Sequence, residues 1–256
     1  MTTTKDAPDL SALLDDARTI LPDVVAIRRR IHRQPEIGLD LPLTQAVVVE
    51  ELRRLGLEPV LGEGLSSVSA TINGGRPGPT ILLRGDMDAL PLNEDTGLDF
   101  SSEIDGAMHA CGHDTHVAML LGAARLLVAR RAELPGRVLL MFQPGEEGFG
   151  GALQMIDEGL LDVPTDGPHG PVTGALAIHI GTTYPTGAIR LRPGAEMASS
   201  DVLRIEVTGR GGHASAPHSS LDPITVAAEI ILALQVMVTR RIDVFDPAVI
   251  TIANVV

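Results

Sequence analysis

Apolar residues recur at helical spacing between Leu10 and Arg33, at Leu13, Leu14, Ile20, Leu21, Val24, Val25, Ile27 and Ile31. The pattern predicts a first helix that Pro22 breaks or kinks. Thr44 to Leu57 carries a second amphipathic pattern, closed by Gly56. Two short apolar runs, Val68 to Ile72 and Thr80 to Arg84, read as strands. The Gly-Gly-Arg-Pro-Gly-Pro segment 74–79 between them predicts a hairpin. Val117 to Arg131 then predicts a helix, Arg137 to Phe142 a buried strand, Ala152 to Leu160 a helix and Ala175 to Ile180 another strand. This alternation predicts an α/β sandwich. Segments 163–174 and 184–194 are rich in Pro and Gly, and a domain boundary is expected near Ala198. Beyond it, Val202 to Thr208, Asp222 to Arg240 and Ala248 to Val256 predict a strand, a helix and a strand, one βαβ unit.

Composition narrows the picture. Hydrophobic residues make up 44% of 256, but aromatic residues only 2%, so any core must be aliphatic. Asp and Glu number 33 against 20 Lys and Arg, a net charge of -13 that argues against a nucleic-acid partner. The start of the chain lacks the basic and then apolar pattern of a signal peptide. The apolar run Ile224 to Val238, interrupted by Glu229 and Gln235, reads as too short to span a bilayer. A single cysteine leaves no intrachain disulfide, and with it the expectation is a soluble cytoplasmic protein with no membrane partner.

That cysteine is also the main chemical signal. Met108-His-Ala-Cys-Gly-His-Asp-Thr-His116 sets Cys111 among histidines, a thiolate and imidazole set suited to zinc and its neighbours. Glu146 and Glu147, between Gly145 and Gly148, offer one carboxylate as ligand and one as proton shuttle. Asp114 reads as a cap of the helix that follows, His116 as a packed helix residue, and Arg28-Arg29-Arg30 as a solvated basic face. His179 lies in an apolar run, where a core histidine is the commoner outcome.

Five motifs in order carry a family resemblance: Arg84-Gly-Asp-Met-Asp-Ala-Leu-Pro91, Met108 to His116, Gln143-Pro-Gly-Glu-Glu-Gly148, Ile178-His-Ile180 and Gly211-Gly-His-Ala-Ser-Ala-Pro-His218. The chain resembles the amidohydrolase branch of the dinuclear metallopeptidases, which includes aminoacylases, hippurate hydrolases and hydrolases of auxin conjugates. The resemblance implies a catalytic α/β sandwich over 1–197, lacking its C-terminal return, with 198–256 as the first βαβ half of an inserted α+β dimerisation domain. It implies two divalent ions, manganese or zinc, with cobalt or nickel also compatible. Cys111 would bridge them, with His113, Glu147 and His179 as terminal ligands. Glu146 would be the general base, Asp88 an orienting acid, and Asp86 would stand where related branches carry a ligand histidine. His213 would reach a partner subunit's site to stabilise an oxyanion, which implies a homodimer. The implied substrate is a small N-acyl amino acid or similar amide. Members of the family continue beyond the equivalent of Val256 with a further ligand histidine and the return of the catalytic sheet. A shortened relative that binds metal or dimerises without turnover is the alternative reading.

Overall fold

Residues 10–194, 196, 199–246 and 248–256 are described by the structure, a computed structural model. The chain divides into two units, Met1–Ala198 and Ser199–Val256; Ala198 itself lies outside the described residues.

The first unit opens with helix α1 (Ser11–His32), which runs without a break through Pro22. The expected interruption does not occur. Pro22 lacks the N–H that would meet the carbonyl one turn back, but it sits on the exposed face, where water can take that carbonyl instead. Helix α2 (Pro42–Arg54) starts at a proline, which needs no partner for its nitrogen there, and is followed by Gly56 at φ +72°.

Strands β1 (Val60–Leu61), β2 (Val68–Asn73), β3 (Arg76–Asp86), β4 (Pro135–Gln143) and β5 (His169–Ala177) form one sheet in the order β1-β2-β4-β3-β5. β2 and β3 are therefore not a hairpin. β4 lies between them, antiparallel to β2 and parallel to β3. Of the expected turn 74–79 only Gly74 and Gly75 lie between the strands, Arg76 to Pro79 belonging to β3, and this short turn crosses the start of β4. A Cβ on Gly74 would lie 2.4 Å from the carbonyls of Leu134 and Gly136, so only glycine passes this close. β5 begins inside the segment expected to be a loop and ends three residues before Ile180.

Alternation along the strands sorts the core onto two faces. Val68, Ala70 and Ile72 of β2 and Leu140 and Phe142 of β4 pack with Leu41, Val48 and Leu52 from α2 and its approach and with Val117 and Leu121 from helix α3 (His113–Ala129). Leu82, Leu139 and Met141 face the other way, toward Met155 of helix α4 (Gly151–Asp157). Helices thus lie on both faces of a mixed sheet. β3, β4 and β5 run parallel, so their carboxyl ends emerge along one edge.

The second unit contains helix α5 (Pro223–Arg241), whose amino end is capped by Asp222 through the Ile224 amide at 2.9 Å. A short 3-10 turn (Pro217–Ser219) and a bridge between Arg210 and Leu221 precede it. The strands expected at 202–208 and 248–256 are not formed among the described residues, so the βαβ unit reduces to its helix. A strand is held by a neighbour's backbone, and neither segment has one here. α5 extends past Val238 to Arg241. An 18-residue window of this helix has mean hydropathy 1.5, long and apolar enough by length and composition to cross a membrane, where the run Ile224 to Val238 was expected to be too short. Leu232 and Val236 on it are exposed.

Candidate metal centre

The site is assembled where the parallel strands end. β3 finishes at Asp86, with Asp88 two residues on; β4 finishes at Gln143, just before Glu146 and Glu147; β5 finishes two residues before His179. Loops leaving the carboxyl ends of parallel strands converge, which is where open α/β sheets build their sites. The amino end of α3 supplies His113, while Cys111 lies just before it.

Gly112 makes that approach. It sits at φ +84°, and a Cβ there would lie 2.5 Å from Ile180 Cγ2. Gly145 and Gly148, at φ +64° and +88°, let the chain turn around the paired glutamates as the sequence suggested. Asp88 holds that turn. Its two carboxylate oxygens accept the amides of Glu146 and Glu147 at 2.9 and 3.0 Å.

His113 is the hub, with no exposed surface. Its Nε2 lies 3.6 Å from Asp86, 3.8 Å from Glu147 and 3.9 Å from Glu146, and its Nδ1 lies 3.6 Å from Asp88. These separations exceed hydrogen-bond length, and both ring nitrogens are buried without a partner. Cys111 Sγ is 3.3 Å from His179 Nε2. Ligand atoms of Cys111, His113 and His179 form one group within 4.8 Å of one another, as do those of His113, Glu146 and Glu147 and those of Asp86, His113 and His116. All four expected metal ligands and both expected catalytic acids of this unit are therefore brought together.

The electrostatics call for a cation. Burial opposes charging His113, yet the carboxylates of Asp88, Asp86 and Glu146 outweigh it and raise its pKa. Burial, then Glu147, Asp86 and Glu146, push the Cys111 thiol up to about 12. A divalent ion would reverse that balance and favour the thiolate. The unpartnered His113 imidazole, with a thiol and carboxylates grouped around it, fits such an ion.

Among the neighbours, Asp114 and Arg28 depart from their sequence reading, while His116 is the packed helix residue expected. Asp114 does not cap α3. It is fully buried, and its Oδ2 accepts from His32 Nδ1 at 2.7 Å and from Arg28 at 2.6 Å. Arg28 is accordingly a structural partner, and both Arg28 and Arg29 also stack on Phe100. His116 bonds to Asp86 at 2.6 Å and to the Ile180 amide at 2.9 Å. Its spacing of three from His113, which puts both on one helix face, was the available signal. His109 is buried without a partner for either nitrogen, and burial brings its pKa down to about 4. His213 lies in the second unit on an exposed loop, where its Nδ1 accepts from the Ser215 amide at 3.2 Å.

The chain is 44% identical over 246 residues to thermostable carboxypeptidase 1 of Saccharolobus solfataricus, which covers 95% of this chain and 61% of that protein. It is 40% identical to IAA-amino acid hydrolase ILR1-like 2 of Arabidopsis thaliana, over 91% of this chain and 51% of that one. It is 37% identical to N-acetyl-L-cysteine deacetylase of Bacillus subtilis, over 93% and 55%. The chain thus spans between 51% and 61% of the length of these curated relatives. A Staphylococcus aureus structure described as an aminohydrolase superposes with a TM-score of 0.75 at 33% identity, covering 96% of this chain and 64% of that one. A dinuclear metal-binding peptidase of the M20 family from Bacillus subtilis gives 0.60 at 36% identity, covering 66% and 45%. Since residues 82–248, which include every candidate site residue, match its pattern, the chain belongs to the peptidase family M20/M25/M40.

Proposed function

We propose that this chain carries the metal-binding part of a hydrolase site that cleaves the amide bond of N-acyl amino acids or related conjugates, releasing a carboxylic acid and an amino acid. The observation that carries the reading is the convergence of Cys111, His113, His179, Glu146 and Glu147 around unpartnered, fully buried His113 nitrogens. Relatives named as an IAA-amino acid hydrolase and an N-acetyl-L-cysteine deacetylase support the substrate class.

Cys111, His113, Glu147 and His179 would hold two divalent ions, manganese or zinc, with cobalt or nickel also compatible with the donors. Such ions polarise a carbonyl and make water acidic. Glu146, whose side chain is 40% exposed, is free to reach a water and act as general base, then return the proton to the departing nitrogen. Asp88 keeps Glu146 and Glu147 in place through their amides. In His213, acceptance of the Ser215 amide by Nδ1 leaves the proton on Nε2, the form that donates to an oxyanion. Its action across a homodimer, in the cytoplasm, is part of the proposal.

The test is Glu146→Gln in protein reconstituted with manganese or zinc and supplied with N-acetyl amino acids. The variant retains its metal and loses turnover by about a hundred-fold or more. Turnover equal to wild type would remove Glu146 from the mechanism. Because the chain covers 61% of the carboxypeptidase relative, metal binding without any wild-type turnover would favour the non-catalytic reading.

A further inference from the structure

We propose that His116 is a positioning residue that sets the direction of His179, and that Asp86 fixes the tautomer His116 needs for this. The inference rests on the reading of Cys111, His113 and His179 as metal ligands.

The β3–β5 ladder ends at the pair Arg84 and Ala177. His179 lies beyond it, on a segment that no strand pairing holds. What holds it is the next residue, since the Ile180 amide donates to His116 Nε2 at 2.9 Å. A nitrogen that accepts carries no proton, so the His116 hydrogen is on Nδ1. Nδ1 in turn donates to Asp86 Oδ1 at 2.6 Å, while Asp86 Oδ2 pairs with Arg84 at 2.7 Å. Asp86 and His116 are 0% and 3% exposed, so water does not compete for these bonds.

The result reaches the ligand atoms. With Ile180 anchored, His179 Nδ1 donates to the Ile180 carbonyl at 2.5 Å, which leaves the lone pair of Nε2 turned toward Cys111 Sγ at 3.3 Å. The His116 ring also packs edge-on against His179, with centroids 4.8 Å apart. Outer partners of this kind orient ligands and govern affinity. Asp86, which by the family resemblance stands where related branches carry a ligand histidine, thus acts through His116.

The experiment compares His116→Asn with His116→Gln by two readouts: hydrogen exchange at the Ile180 amide in metal-free protein, and zinc affinity measured against a competing chelator. Asn reproduces the Nδ1 donor but offers no acceptor to Ile180, whereas Gln places its amide oxygen near the Nε2 position. H116N is expected to lose Ile180 protection and about ten-fold or more in zinc affinity, with H116Q staying within about three-fold of wild type. Equal affinity in H116N and wild type, or equal loss in both variants, overturns the inference. Should H116N fail to fold, Ile180→Pro removes the donor and leaves His116 in place; undiminished zinc affinity there overturns it too. If wild type binds no zinc, the metal-centre reading falls by itself. The positioning role is then decided by exchange, and unchanged Ile180 protection in H116N refutes it.

Discussion

The Asp88 carboxylate accepts the Glu147 amide at 3.0 Å, and its other oxygen accepts the neighbouring Glu146 amide at 2.9 Å. One buried acid at the end of β3 thus sets a turn at the end of β4. The two strands are parallel neighbours, so an acid leaving one lies beside the loop leaving the other.

Asp88→Ala leaves both loop amides without this acceptor and is expected to lower stability by about 1 to 3 kcal/mol. Asp88→Asn, which keeps one accepting oxygen, falls between. Chemical denaturation together with metal content reads both effects. An alanine variant with unchanged stability and metal content would show that the turn sets itself.

Gly112→Ala meets two obstacles, the left-handed backbone and the 2.5 Å approach to Ile180 Cγ2. A loss of about 1 to 3 kcal/mol is expected. The double variant with Ile180→Ala relieves the clash alone, so thermal unfolding places it between the single variant and wild type. Full recovery would mean that the backbone conformation costs nothing.

The His32–Asp114 pair gives stability a pH profile. The Asp114 hydrogen bond, working against burial, raises His32 above its ordinary 6.5. Burial would raise Asp114, but His32, His109 and Arg28 hold it below its ordinary 3.8. The His32 contribution is complete below 6.5 and disappears as pH rises through the raised value. The Asp114 contribution is complete above 3.8 and disappears as pH falls through the lowered value. The stability difference between wild type and His32→Gln should therefore be greatest between those limits and shrink on the alkaline side. A difference independent of pH would contradict the pairing.

Divalent metal should act as a folding ligand. Zinc or manganese at a hundred times its dissociation constant is expected to add about 2.7 kcal/mol of stability, reversed by a chelator. His179→Ala should reduce that gain, which calorimetric unfolding with and without chelator measures. A melting temperature indifferent to metal in wild type would count against the centre.

The sequence made the elements of the first unit legible because their periodicities are strong. Val68, Ala70 and Ile72 alternate as a half-buried strand must, and the unbroken apolar run Val138 to Phe142 marks a strand with core on both faces. Cys111, His113, Glu146 and Glu147 were legible because their chemistry is rare in combination. Sheet order was not. A Gly-rich turn says that the chain reverses, and says nothing of whether a later strand will enter between the two arms.

Local pattern by itself thus located the helices and most of the strands of the first unit, though not β1 or the start of β5, and determined which ordered motifs could hold metal. The partnerships required tertiary structure. That β4 separates β2 from β3, that Arg28 and His32 meet Asp114, and that His116 bridges Asp86 to Ile180 all join residues far apart in sequence. The segments 202–208 and 248–256 give the converse case, since a strand-like pattern becomes a strand only when another backbone pairs with it. Hydrogen bonds and burial depend on what the fold brings alongside, and no local repeat encodes that.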